Sequence, residues 1–169
     1  MANRDNAYGL KPRYHPSGTV RAEKIQLKST NSAIGIHSAL AQQTDGTYDL
    51  WSSGRIDAVA AEAAAANDAG TIMAYTDPAI VYSAQCDDTT GILTVQDGMT
   101  LNATIVNNTA TNGRSIAEID ESSGDLTATL PVKIIGLLDS TGNALGQFNQ
   151  LLFVLNNTAR KGGTGTVGV

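Results

Sequence analysis

The chain has 169 residues, of which 41% are hydrophobic and 16% charged, and 19 Thr, 12 Asn and 17 Gly make up much of the remainder. This composition favours strands and tight turns over a helical bundle, and the single Cys excludes a disulfide framework. Because no apolar run approaches about 18 residues and the N-terminus lacks an apolar segment, we expect no membrane span and no secretory signal.

Charge is unevenly distributed along a chain whose net charge is −5. Residues 1–30 carry a balance of +4, residues 45–125 a balance of −11, and residues 126–169 a balance of +2. The cations of the first segment are too dispersed for nucleic-acid binding, and the acidic body would repel phosphate. We therefore predict no nucleic-acid partner and an N-terminal segment that docks on an acidic protein surface. The simpler alternative is a frayed, basic terminus.

Residues 1–19 are predicted to form an extended arm. Pro12 and Pro16 exclude a helix because each removes an N–H donor and restricts the residue before it. The arm also has large apolar side chains that a free linker would lack: Tyr8, Leu10 and Tyr14. We expect removal of the arm to leave a folded body that no longer binds its partner tightly.

The body, predicted over residues 20–160, contains runs typical of strands. Clusters of turn-forming residues separate these runs, and no helical pattern intervenes. This spacing predicts an antiparallel β-barrel or β-sandwich. The strand-like runs are residues 20–28, 47–51, 92–96, 100–106, 126–138 and 148–156.

The run at 126–138 is the most detailed strand prediction. Its alternation places one face, from Leu126 to Gly136, in the core, and Pro131 indicates an edge or a bulge. Its predicted partners are the runs at 100–106 and 148–156.

Two segments are ambiguous. The Ala-rich run at 56–69 has the best helix propensity in the chain but almost no apolar stripe, so we favour a hairpin over a helix there. The tail at 161–169 is Gly-rich and formally matches a dinucleotide-binding fingerprint. Since no helix can follow it, we interpret it as a flexible or lightly docked tail.

Few residues are suited to catalysis. His15 and His37 are the only histidines, and no nucleophile elbow accompanies them. Cys86 is predicted to be a small core-facing or half-buried residue next to a turn. The acidic residues around it allow at most an adventitious cation: Asp87, Asp88 and Asp97. We therefore predict no enzymatic activity, no cofactor and no metal site.

Several blocks point to a known family when they are taken in chain order. They are YGLKPR at 8–13, DPAIVYSAQ at 77–85, LPVKIIGL at 130–137, NALG at 143–146 and VLNN at 154–157. Over residues 1–13 and 71–160 the chain resembles the capsid decoration, or cement, proteins that tailed bacteriophages encode beside their major capsid protein.

This resemblance implies a mainly β protein on the outer surface of the virion, made in the host cytoplasm. Its partners would be the phage major capsid protein and further copies of itself, with a trimer expected from local threefold symmetry, and no membrane. The family transfers no contact residues. The partner contacts are therefore predicted from the arm and the C-terminal end: Arg4, Tyr8, Leu10, Lys11, Arg13, Tyr14, Arg160 and Lys161.

Two other functions remain as alternatives at this point. A β-sandwich that binds carbohydrate or another surface component would use exposed aromatics, for which only Trp51 and a few Tyr are available. A hydrolase of cell-wall polymer would need a Ser–His–Asp or Cys–His arrangement, which sequence spacing does not reveal.

Overall fold

The computed structural model describes residues 3–87, 101–162 and 165. Within these residues the chain forms antiparallel sheets, with one short 3-10 turn at Ala159–Lys161. No helix in the described part of the chain is long and apolar enough to cross a membrane. The mainly-β prediction is therefore confirmed. The strands are β1 (Lys11–Tyr14), β2 (Glu23–Gln26), β3 (Ala39–Gln42), β4 (Tyr48–Leu50), β5 (Ala58–Ala60), β6 (Thr71–Tyr75), β7 (Val81–Gln85), β8 (Asn102–Val106), β9 (Ala110–Thr111), β10 (Arg114–Ser115), β11 (Glu118–Asp125), β12 (Val132–Leu137) and β13 (Gln150–Leu155).

The larger sheet has six strands in the order β1-β7-β13-β12-β8-β11, all paired antiparallel. Tyr82 of β7 lies opposite Phe153 of β13, and the two rings stack with their centroids 5.7 Å apart. Such cross-strand aromatic pairs stabilise a sheet beyond their buried area. Strand β12 lies between β13 and β8, which confirms the partners predicted for it.

The second sheet has five strands in the order β2-β6-β5-β3-β4. A single bridge between Leu27 and Tyr48 links its outer strands at one end. Neither sheet closes into a barrel in the described residues, so the sandwich form of the prediction fits the structure. Strand β5, in the middle of this sheet, is buried on both faces: Val59 packs in one apolar cluster, while Ala58 and Ala60 pack in the other.

The main core joins the two sheets. It contains the inward faces of β7, β8, β12 and β13 together with Trp51, Ile56 and Val59 from the smaller sheet and its loops. A second cluster lies on the other face of the smaller sheet, around Leu27 and Leu40. Because β5 separates the two clusters, it carries small or apolar residues at successive positions, whereas the outer strand β2 keeps only Ile25 buried among exposed polar residues.

The Ala-rich run at 56–69 contains a strand and a loop, not a helix. Strand β5 pairs antiparallel with β6 across the loop at 61–70, in agreement with the hairpin that we favoured. In that loop Ala64 exchanges two backbone hydrogen bonds of 2.9 Å with Ile34. Ala58 and Ala60 are buried in β5 and Ala64 is held through its backbone, so tertiary structure overrides the helix propensity of the run.

The run at 126–138 is a strand only in its second half. Strand β12 begins directly after Pro131, and Val132 and Ile134 are fully buried as predicted. The prediction for the first half is wrong, because Leu126 is 50% exposed and the Leu130 N–H donates to the Thr127 carbonyl in a turn. Pro131 cannot donate to a ladder, so the strand starts after it rather than containing it.

Strand β11 was not predicted because its Ser-Ser-Gly segment is typical of a turn. The strand instead continues through a bulge, where its register against β8 shifts between Asp120 and Asp125. Within the bulge, the Ser123 hydroxyl accepts the Thr104 N–H at 2.9 Å, in place of a backbone partner. The strand predicted at 92–96 lies outside the described residues.

Replacing Ile134 by Ala should lower the free energy of unfolding by about 2–5 kcal/mol, because the side chain is fully buried in the main core and its removal leaves a cavity. Thr129 is exposed in the preceding turn, so Thr129→Ala should cost well under about 1 kcal/mol. Urea melts of the two variants check this, and equally small effects would contradict the placement of β12.

Candidate functional site: a cationic pocket at the N-terminal arm

The N-terminal arm lies against the body rather than projecting from it. At its start, the Asn3 side chain makes hydrogen bonds of 2.7, 2.7 and 3.0 Å to the backbone of the loop at 144–147. The Gln85 side chain of β7 then makes hydrogen bonds of 2.8 and 2.9 Å to the arm backbone. The arm continues as β1, the edge strand that pairs with β7.

Two side chains of the arm meet the same serine of β7. Arg13 Nε donates to Ser83 Oγ at 2.6 Å, and the Tyr8 hydroxyl lies 3.2 Å from that oxygen and from Gln150 Oε1. Ser83 and Gln85 are almost completely buried, so the arm covers the polar face of β7. The arm therefore lies on a surface, and in this structure that surface is the body of the same chain.

The prediction that Leu10 contacts a partner is wrong. Its side chain is fully buried in the main core, and its N–H donates to the His37 carbonyl at 2.9 Å. Gly9, with a φ of 75°, makes the turn that directs Leu10 inward. Leu10 is thus a core residue and cannot contact a partner in this arrangement, because the arm contributes to the core of the body as well as to its surface.

A pocket of about 440 Å³ opens where the arm meets strand β10 and the loop that contains His37. We call it the cationic pocket; its lining residues are Asn6, Tyr8, Lys11, Arg13, Ile36, His37 and Arg114. It therefore brings together three of the predicted contact residues, Tyr8, Lys11 and Arg13. None of its three cations forms an ion pair with an acidic side chain in the described part of the chain, and no carboxylate lines the pocket.

His37 reports on the electrostatics of the cationic pocket. Burial lowers the pKa of its imidazole, and the nearby charges of Lys11, Arg114 and Arg13 lower it further, against a hydrogen bond to the Tyr8 backbone that raises it. The backbone of His37 is held from both sides, since its N–H donates to the Ala60 carbonyl at 2.8 Å and its carbonyl accepts from the arm. The imidazole is consequently a fixed neighbour of the three cations.

The remaining predicted contacts fall into two groups. Arg4 and Tyr14 are exposed, Arg4 beside a cleft formed with residues 140–143 and Tyr14 at 49% exposure. Arg160 and Lys161 bond within the chain: the first pairs with Glu23, and the second donates from Nζ to the Leu155 carbonyl at 2.8 Å. The structure therefore does not bring the C-terminal cations to the pocket.

The side chains of His15, Ser17 and Asp77 form a chain of polar contacts near the end of the arm. His15 Nε2 lies 3.2 Å from Asp77 Oδ2, and its Nδ1 lies 2.6 Å from Ser17 Oγ. These are the residue types of a serine hydrolase. However, Nδ1 also accepts the Ser17 backbone N–H at 3.0 Å, so its lone pair is not free to remove the hydroxyl proton. The cluster is best understood as a turn that the Asp77 carboxylate anchors.

The other reactive residues do not assemble into a site. Cys86 is a fully buried core residue, as predicted. In the residues that the structure describes, no group of three or more His, Cys, Asp or Glu side chains could hold a metal ion. Asp88 and Asp97 lie outside those residues.

Sequence reasoning found the arm half of the cationic pocket and missed the other half. His37 comes from a loop and Arg114 from β10, far apart in the chain, and no local pattern links them to the arm. The one available signal is glycine: a Cβ at Gly35 would lie 2.5 Å from the Arg114 carbonyl carbon, and one at Gly9 would lie 2.9 Å from the His37 carbonyl oxygen. Both glycines permit close backbone approaches that build the pocket.

Gly9→Ala should destabilise the protein by about 2–4 kcal/mol, since a Cβ there would meet Ser115 Cβ at 2.7 Å and the backbone would be strained as well. Gly18→Ala is the matched control. Its φ is also positive, but open space surrounds it, so only the strain of about 1 kcal/mol applies. Thermal melts of the two variants measure the difference, and equal effects would mean that the arm does not pack as closely as the structure has it.

Comparisons with known proteins add no relative: no family model, curated protein or solved structure matches this chain.

Proposed function

We propose that the protein is a structural component of a tailed-phage head that decorates and stabilises the capsid by bridging major capsid protein subunits on its outer surface. The order of sequence blocks described above supports this proposal. The observation that carries it is the cationic pocket, where three cations that form no ion pair among the described residues gather on a chain whose net charge is −5. Such a local reversal of charge suits recognition of an acidic protein surface.

The architecture suits a cement role in physical terms. A clamp must bind the assembled shell and not its dispersed subunits, because only then does its binding free energy stabilise the assembly. A body with two sheets and a docked arm offers a rigid unit, so little conformational entropy is lost on binding. The predicted contacts that are exposed are Arg4, Lys11, Arg13, Tyr14, Arg160 and Lys161, and Tyr8 is half-buried.

The bound form is proposed to be a homotrimer. A protein that bridges capsomers meets local threefold symmetry between them, and closed cyclic assemblies use one repeated interface. A reconstruction of decorated heads tests this directly: three copies around each local threefold axis are expected, and isolated copies away from any symmetry axis would contradict it.

Binding to purified heads tests the function. Heads of the phage that encodes the protein, stripped of decoration, should take up added protein saturably and in a fixed ratio to the major capsid protein. The bound protein should also raise the temperature at which the heads rupture. If the protein stays in solution while the heads sediment, or if it is absent from native heads, the proposal fails.

The carbohydrate-binding alternative has less to support it. Trp51 is 7% exposed and packs in the main core, where its Nε1 donates to the Gly54 carbonyl at 3.1 Å. It is therefore not placed to stack on a sugar, and Tyr14 is the large aromatic at the described surface. Strong, saturable binding on a glycan array, without binding to heads, would reverse this order of preference.

A further inference from the structure

The cationic pocket carries more charge than the docking of the arm requires. Arg13 alone among its cations bonds the arm to the body, through Ser83. Lys11 and Arg114 make no comparable contact in the described residues, yet they lie close enough to His37 to lower its pKa. Gathering like charges is unfavourable unless solvent screens them or an anion joins them.

We propose that the cationic pocket binds an extended, carboxylate-rich protein segment, whose acidic side chains sit among Lys11, Arg13 and Arg114. The inference rests on the proposed function, because it names the chemistry of the capsid segment that the pocket would recognise. The pocket has room for more than one such side chain, at about 440 Å³.

The placement of the cations favours an extended segment over a small anion. The register of β1 against β7 shifts between Pro12 and Tyr14, and both Lys11 and Arg13 line the pocket beside this irregularity, with Arg114 reaching it from β10. The cations therefore come from two strands, and an extended segment, whose alternate side chains lie about 7 Å apart on one face, can present successive carboxylates to them. Moreover, β1 is the edge strand of its sheet, with β7 as its one partner among the described strands, so a segment can approach along its length.

Edge strands often carry charge and proline for a different reason, which is to discourage pairing with other copies of the same chain. Pro12 and the neighbouring cations fit that role too. The two roles make different predictions. If the charges only protect the edge, no ligand should bind saturably, and Arg114 should not contribute because it lies on β10 and not on the edge strand.

His37 provides a reporter inside the pocket. Burial and the charges of the three cations lower the pKa of His37, and the hydrogen bond to the Tyr8 backbone raises it. A bound carboxylate offsets their charge, so the pKa of His37 should rise on binding. By linkage, binding should also strengthen as the pH falls through the range in which His37 gains its proton.

The test follows the imidazole signals of the full-length protein by NMR, with a blocked hexapeptide of alternating glutamate and aspartate as the probe. The expected result is saturable binding that raises the pKa of His37, while the imidazole signals of His15, which follows β1, do not move at constant pH. Citrate and inorganic phosphate serve as free-anion probes and should bind at least about tenfold more weakly.

Two double variants separate the pocket from general charge. Lys11→Gln with Arg114→Gln should weaken peptide binding by about tenfold or more, as expected for the loss of two ionic contacts. Arg21→Gln with Lys24→Gln removes the same charge outside the pocket and should change affinity by less than about twofold. The inference is overturned if the peptide does not bind, if both double variants bind equally, or if citrate or phosphate binds as tightly as the peptide.

The outcomes also separate this inference from the proposed function. Protein that binds heads but not the peptide retains its decoration role and loses the acidic-segment site. Protein that binds the peptide through the pocket but not heads retains the site and loses the decoration role.

Discussion

Removing the arm, residues 1–19, should eliminate most of the free energy of unfolding of the body, because the arm is part of the folded structure and not a free terminus. Loss of Leu10 alone takes a fully buried side chain from the core, which costs about 2–5 kcal/mol. The truncation also strips the edge strand from β7 and leaves the buried polar side chains of Ser83 and Gln85 without their arm partners. Against an ordinary stability of about 5–15 kcal/mol, the truncated chain should be largely unfolded or marginal. This replaces the expectation that the body folds without the arm.

Point variants test the same idea without truncation. Leu10→Ala should lower the free energy of unfolding by about 2–5 kcal/mol. Tyr14→Ala, in the same arm but half exposed, should lower it by less than about 1 kcal/mol. Urea melts followed by circular dichroism measure both. Equal, small effects together with a folded truncation would mean that the arm is a detachable segment after all.

Asp57→Ala should be the most damaging charge substitution. The carboxylate is 2% exposed and joins three parts of the chain. Its Oδ2 accepts hydrogen bonds from the Gln42 N–H at 2.9 Å and from Arg55 Nε at 3.0 Å. Its Oδ1 accepts a hydrogen bond from the Ala159 N–H at 2.6 Å. Alanine would leave two backbone donors without acceptors, each at about 1–3 kcal/mol, and would free the C-terminal turn. The expected loss is about 2–5 kcal/mol.

Asp57→Asn and Asp139→Ala are the controls. Asparagine keeps one acceptor oxygen and should lose roughly half as much stability. Asp139 is exposed, so its removal should change stability by less than about 0.5 kcal/mol. Thermal melts rank the three variants. An Asp57→Ala protein as stable as the Asp139→Ala protein would show that Asp57 does not join these segments.

The sequence predicted those parts of the fold in which local pattern and tertiary structure agree. Strand β12 and its two neighbours follow from alternation and from turn residues on either side. Prediction failed where turn-type residues continue a strand. In β11 the Ser123 hydroxyl replaces a backbone acceptor, so the Ser-Ser-Gly segment becomes a bulge. The Ala-rich run was ambiguous because burial on both faces of a sheet selects small residues without reference to helix propensity.

The site was half predictable for a related reason. The aromatic and basic residues of the arm mark it as a docking segment, and Tyr8, Lys11 and Arg13 do line the cationic pocket. What the arm docks on depends on contacts far apart in the chain, such as the hydrogen bond from Leu10 to His37. No composition or spacing rule specifies those contacts. The same limitation placed Leu10 among the partner contacts, because an apolar side chain in an extended arm suits either role.

A reconstruction of the decorated heads tests the central claim most directly. It should place copies of this chain on the outer surface at positions that bridge capsid subunits, with the cationic pocket against an acidic segment of the major capsid protein. Heads that carry no copy of the chain, or copies whose pocket faces solvent with no protein density against it, would contradict the account.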